Sequence, residues 1–241
     1  MLVYGKTDIG LQRSSNQDEF RLHSVSEELC YGLVCDGMGG ENGGNIASDV
    51  ASTVISQSLD EHLRPGLTDE DYKNIIVSAV SEGNVAVYDK SLENEQYIGM
   101  GTTVVLAVVS GDKAYIAHVG DSRVYLIRDG SIYQLTKDHS VVQTLLEQGK
   151  ITEEEVDHHP QKNMITRAIG ISCFVDIDYI EVSNIANSAL LLCSDGLTNT
   201  CDDDTIKEIV LTEAPGDICG RLIEQANQNG GLDNITAVVI L

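Results

Sequence analysis

The sequence predicts an α+β fold, and three observations carry that reading. Strand-like runs come in groups joined by short turns, consecutive helical patterns come in pairs between those groups, and no strict βαβ alternation runs through the chain. At 241 residues, with no fixed-period repeat and no Pro- or Ser-rich linker, one domain over residues 1–241 is expected. A chain this long buries enough surface to hold itself together without disulfides. With no Trp and only 2 Phe, its core must be built from Val, Ile, Leu, Ala and Tyr.

The first strand-like segments are FRLHSV, which follows Asp18, and LCYGLVCD at Leu29 to Asp36. Two long helical patterns follow. Ile46, Val50, Val54, Leu59 and Leu63 recur at spacings of four or five, and Tyr72, Ile76, Val80, Gly83 and Val87 repeat the stripe. A central meander runs through TTVVLAVVS from Thr102, KAYIAHVGD from Lys113 and SRVYLIRDG from Ser122, and Asp129-Gly130 makes the hairpin turn that closes it. Ser140, with Gln143 three residues on, opens a third helix as a capping box, and Gly149 ends it. Residues 151–167 then turn polar, with three consecutive glutamates, the pair His158 and His159, and no strand, and read as part of a flap-like excursion from the core around 138–170. The strand SALLLCSDG from Ser188, two helical patterns after Asp202 and the strand NITAVVIL from Asn234 complete the chain.

Charge and composition remove several function classes. With 15 Lys and Arg against 38 Asp and Glu, the net charge is −23, which repels nucleic acid and anionic membrane surfaces. No apolar run reaches the roughly 18–20 residues that span a bilayer, and the opening MLVYGKTDIG lacks the basic and apolar regions of a signal peptide. The six cysteines show no C-x-x-C spacing and read as small core hydrophobes in a reducing, cytoplasmic compartment.

The chemistry lies in a recurring arrangement, an apolar strand ending in Asp and a small residue. It occurs as VCDG at Asp36, VGDS at Asp121 and LCSDG at Asp195, and in reverse at Asp233 before the last strand; Asp18 adds a fifth carboxylate. Two like charges 4 Å apart repel by about 4 kcal/mol at an effective dielectric near 20, so converging aspartates need cations or raised pKa values. An all-oxygen donor set without His or Cys selects Mg²⁺ or Mn²⁺ over Zn²⁺. Taken singly, Asp36 and Asp195 can equally be ligands or residues leading into helices.

Taken together, RSSNQD from Arg13, VCDGMGG from Val34, GTTVV from Gly101, HVGDSRVY from His118, KDHS from Lys137, TRAIG from Thr166, LLLCSDGLTN from Leu190 and DNITAVV from Asp233 resemble the metal-dependent protein Ser/Thr phosphatases of type 2C, in their bacterial branch. The motifs keep the family's order from Arg13 to the C-terminus. The resemblance implies a four-layer αββα sandwich, two antiparallel sheets flanked by helix pairs, with a binuclear metal site at one edge. It implies that Asp36 bridges two Mn²⁺ or Mg²⁺ ions, with the Gly37 carbonyl on one and Asp195 and Asp233 on the other. Asp18 would support the site, and Asp121 would help hold a weaker third ion. Arg13 would grip the substrate phosphate, a task suited to a guanidinium fork. The implied reaction is hydrolysis of phosphoserine and phosphothreonine in proteins by attack of a metal-bridging hydroxide, without a phosphoenzyme. Phosphorylated proteins would be the substrates of a monomer, with a cognate Ser/Thr kinase as partner.

Three positions depart from the family. Met38 stands where eukaryotic members carry the His proposed to protonate the leaving group, which leaves the general acid unassigned. Asn45 replaces a glutamate common near the first helix, and Glu41 takes a place often held by His. His118 and His139 are candidate proton donors, although their positions within a strand and before a helix cap favour structural roles; His158 and His159 fall in the family's variable flap. Among rivals, a nucleotide-binding loop fails because G-x-G-x-x-G would need Gly at Asn42, and no cysteine precedes the C-x-x-x-x-x-R pattern of cysteine phosphatases. A noncatalytic phosphoprotein-binding scaffold of the same fold remains the alternative.

Overall fold

Successive side chains of a strand point to opposite faces, so a strand that is apolar on both faces must be covered twice. Most strands of this chain are of that kind. The computed structural model describes residues 1–39, 43–156 and 158–241. It begins with β1 (Val3–Asp8), β2 (Asp18–Ser24) and β3 (Leu29–Met38), then α1 (Gly44–His62) and α2 (Asp69–Leu92). The middle holds β4 (Gly101–Thr102), β5 (Val104–Ser110), β6 (Lys113–Val119), β7 (Arg123–Arg128), β8 (Ser131–Gln134), α3 (Val141–Glu147) and α4 (Glu153–Val156). Last come β9 (Asp178–Ser183), β10 (Ala189–Cys193), α5 (Asp195–Thr198), α6 (Asp203–Thr212), α7 (Ile218–Gln228) and β11 (Ile235–Ile240).

Two antiparallel sheets result. One has the order β1-β11-β10-β7-β8; the other runs β2-β3-β5-β6-β9, with β4 paired to β3. Odd-numbered residues of β3, Leu29 to Cys35, pack under Ala47, Ala51, Ile55 and Leu59 of α1 and Ile76 and Val80 of α2. Cys30 and Val34 face the other way and meet Val105, Ile116, Val124, Leu192 and Val238 between the sheets. On the far side Tyr125, Leu191 and Val239 are covered by Ile206, Leu222 and Ile223 of α6 and α7. Helix, sheet, sheet, helix is the αββα sandwich expected. No helix among the described residues is long and apolar enough to cross a membrane.

Several elements differ from the sequence reading. The meander is split: β5 and β6 belong to one sheet, β7 and β8 to the other, and the chain changes sheets at Gly120–Ser122. The fully buried face of α1 is Ala47, Ala51, Ile55 and Leu59, whereas Ile46 and Val50 are only partly buried, because a helix packed tightly on a sheet uses small residues for its closest contact. Strand β9 was not predicted; its outer face is half-exposed at a sheet edge, so its pattern is weak. The polar excursion contains the short helix α4, and its base is pinned by Val141 N–H to Met164 O (2.8 Å) and Thr166 N–H to His139 O (2.7 Å). Ser140 caps α3 by accepting from Gln143 N–H at 3.1 Å, but the Gln143 amide turns to Glu147, so the capping box is half formed. Five cysteines are buried and Cys173 is exposed. Gly40, Glu41, Asn42 and Asp157 lie outside the described residues.

Candidate metal centre

The acidic residues of the sequence reading sit at or near strand ends, and the sandwich brings those ends to one edge. Asp18 starts β2 and lies directly opposite Asp36 in the β2–β3 register. Asp195 opens α5 immediately after β10, and Asp233 stands two residues ahead of its neighbour β11. Asp121 occupies the crossover between β6 and β7. A cleft of about 420 Å³ is lined by Arg13, Asp36, Gly37, Met38, Thr103, Asp121, Asp195 and Asp233, among others. Asp18 is buried behind its wall.

The backbone around Asp36 is fixed from across the sheet. Its N–H donates to Thr103 Oγ1 at 3.0 Å, and its carbonyl accepts from Thr103 N–H at 2.9 Å and Thr102 Oγ1 at 2.8 Å. At Gly37 a Cβ would fall 2.0 Å from the Gly44 carbonyl oxygen, so only glycine lets the start of α1 approach the strand here. Asn234 ties the loop that carries Arg13. Its Nδ2 donates to Ile9 O (2.9 Å) and Ser15 O (3.0 Å), and its Oδ1 accepts from Gln17 N–H (2.8 Å). Arg13 Nη2 donates to Asp233 Oδ2 at 2.6 Å, and that bond to the carboxylate raises the guanidinium pKa further.

The electrostatics are those of a site short of positive charge. Burial, together with neighbouring Asp195, lifts Asp121 to about 8. Burial lifts Asp18 to about 7 even though its Oδ2 accepts from Ser194 Oγ and Thr236 Oγ1, both at 2.7 Å. Asp36 is pushed well above the usual carboxylate range by burial and then by Asp18, and Asp195 is raised by burial and then by Asp233. Asp18 Oδ1 and Asp195 Oδ1 are buried without a hydrogen-bond partner. A buried carboxylate oxygen left unpaired is costly, and carboxylates this crowded repel one another; divalent cations answer both problems. With oxygen donors only, the group fits Mg²⁺ or Mn²⁺.

The proposed histidine donors lie elsewhere. His118 and His139 stack with ring centroids 4.5 Å apart beside Asp178, and neither lines the cleft. Burial pushes His118 down to about 3, so it is neutral at pH 7 and is not an imidazolium acid. This cluster is not built for a metal either. Gly120 N–H donates to His139 Nδ1 at 3.0 Å, so Nε2 carries the proton and donates to Asp178 Oδ2 at 3.2 Å, leaving no lone pair for an ion. His158 lines an adjoining cleft with Lys162, Asn163, Asp121 and Asp195. Four residues that serve the site, Thr103, Ser194, Asn234 and Thr236, were singled out for no role from sequence. Each is a buried polar residue beside or within an apolar run, which is the one signal that could have found them.

Comparison with known proteins agrees with this geometry. The family model described as Protein phosphatase 2C matches residues 11–235. The protein phosphatase PhpP of Streptococcus pneumoniae is 37% identical over 236 residues, covering 97% of this chain and 94% of its own length. The serine/threonine phosphatase PstP/Ppp of Mycobacterium tuberculosis superposes with a TM-score of 0.88 at 35% identity, covering 99% of this chain and 97% of its own. A structure of the PstP catalytic domain in complex with 2 manganese ions superposes with a TM-score of 0.85 at 34% identity, covering 99% and 96%. The order of the motifs, the two-sheet sandwich and the carboxylates gathered at its edge thus have one common explanation: the chain belongs to the protein phosphatase 2C family.

Proposed function

We propose that Asp36, Asp195 and Asp233, with the Gly37 carbonyl, hold two divalent cations at the sheet edge, and that Asp18 supports them from behind. The family's activity is metal-dependent hydrolysis of phosphoserine and phosphothreonine in proteins, and this chain is such a phosphoprotein hydrolase. The observation that carries the site assignment is the pair of orphaned buried oxygens, Asp18 Oδ1 and Asp195 Oδ1, within a group of mutually repelling carboxylates. When bound, the cations lower the pKa of water and neutralise charge on phosphoryl oxygens.

The chain's own residues do the rest. Arg13, half-exposed at the cleft rim and tethered by one nitrogen to Asp233, keeps other N–H groups for two oxygens of a substrate phosphate. Thr102 and Thr103 hold the Asp36 peptide rigid, so the carboxylate is set in place before substrate arrives. Met38 can move no proton, and no histidine is among the cleft-lining residues, so solvent in the open cleft is assigned the proton for the leaving alkoxide. Asp121, at the rim shared with the adjoining cleft, is assigned to a weaker third ion. Mn²⁺ or Mg²⁺, one catalytic domain over residues 1–241, a monomeric state, a cognate kinase and a cytoplasmic setting complete the reading; the unpaired cysteines support the last.

Hydrolysis of a phosphothreonine peptide tests this, measured with Mn²⁺, with EDTA, and with Asp36→Asn and Asp233→Asn. Turnover should need Mn²⁺ and fall by at least about 10³-fold in either variant. Equal turnover in all conditions overturns the mechanism, and tight peptide binding without turnover favours the scaffold.

A further inference from the structure

The crossover that carries Asp121 is restrained in an unusual way. Strand β6 ends at Val119, and the only residue between it and Asp121 is Gly120, held at φ +117° with its α-carbon against Thr103, where a Cβ would fall 2.6 Å from the threonine Cβ. Left alone, a glycine link of this kind would let Asp121 wander. His139 grips it at two points. The His139 backbone N–H donates to Gly120 O at 2.7 Å, and Gly120 N–H donates to His139 Nδ1 at 3.0 Å.

Behind the ring stands a chain of partners. Nε2–H donates to Asp178 Oδ2 at 3.2 Å, and Arg167 Nη1 donates to Asp178 Oδ1 at 2.6 Å. Thr166, next to Arg167, donates its N–H to His139 O at 2.7 Å. These bonds fix the tautomer and the plane of the ring. His118 packs on its face and is fully buried.

We propose that His139 is a positioning residue for Asp121, setting the affinity of the weaker third cation through its grip on Gly120. This rests on the assignment of Asp121 as a ligand of that ion. Partners that orient a metal ligand from behind are worth about 10- to 100-fold in affinity in other metalloproteins.

The test is electron paramagnetic resonance titration of the full-length protein with Mn²⁺, which counts free ion and separates tight from weak sites. Asp121→Asn should abolish the weak site. Two amides then divide the histidine's contacts. His139→Asn places its Oδ1 where Nδ1 stood and keeps the Gly120 bond, so weak binding should persist; His139→Gln reaches Asp178 but not Gly120, and weak binding should fall about tenfold. Both variants should keep the two tight sites, and circular dichroism checks that each is folded. If His139→Gln binds the weak ion like the parent, or if the two amides act alike, the positioning role is overturned while Asp121 stays a ligand. If Asp121→Asn leaves the weak site intact, the ligand assignment fails and the proposal falls with it.

Discussion

A single methyl group at position 37 measures how closely the strand and the first helix approach. A side chain there would meet the Gly44 carbonyl oxygen at 2.0 Å, so Gly37→Ala must push the strand away from α1 and carry the Gly37 carbonyl with it. The expected result is a loss of about 2–4 kcal/mol in urea unfolding together with weaker Mn²⁺ binding by calorimetry. Behind the site, Ser194→Ala removes one of the two hydroxyls that donate to Asp18 Oδ2, and should cost about 1–3 kcal/mol while lowering Mn²⁺ affinity. Asp36, Asp121 and Asp195 were legible in the sequence because each stands in a local pattern, a strand end followed by a small residue, and Asp233 because it precedes the last strand. Ser194 and Thr236 were not, because their partner Asp18 is 176 and 218 positions away and only the fold brings them together.

Among the elements, α2 was the easiest to read. Tyr72, Ile76, Val80 and Val87 are all buried, and the helix opens on a complete capping box between Thr68 and Asp71. Thr68→Ala should therefore cost about 1 kcal/mol in a denaturant melt and leave phosphatase turnover unchanged, since the cap is remote from the cleft. The neighbouring α1 was placed correctly, but of its predicted stripe only Leu59 and Leu63 are buried, because alanines facing a sheet carry little hydrophobic signal. Strand β9 escaped notice for a related reason: an edge strand with a half-exposed face shows little of the alternation that marks β3 or β5. The sheet change at Gly120–Ser122 leaves no trace in hydrophobicity, since β6 and β7 are equally apolar.

For the molecule as a whole, the raised carboxylates set a pH dependence. Without metal, Asp18 at about 7 and Asp121 at about 8 hold protons in the folded chain that the unfolded chain, with Asp near 3.9, has already released. The folded state then binds more protons between those values, so the contribution of these two groups to stability is complete below about pH 4 and is lost as pH rises through about 7 to 8. The melting temperature of EDTA-treated protein should fall across that range, and saturating Mn²⁺ should raise it most at the alkaline end, where the ligands are already ionised. Melting that is flat with pH in EDTA would count against the buried charge. The same crowding has a mechanical side. Asp18 and Asp36 stand on one sheet, Asp195 and Asp233 beside the ends of strands β10 and β11 of the other, and Asp121 on the span between them. Ions seated among them would rivet the two halves of the sandwich at their rim, so their removal by EDTA should loosen the joint between sheets before it melts either sheet. Amide hydrogen exchange would then speed up first along that seam.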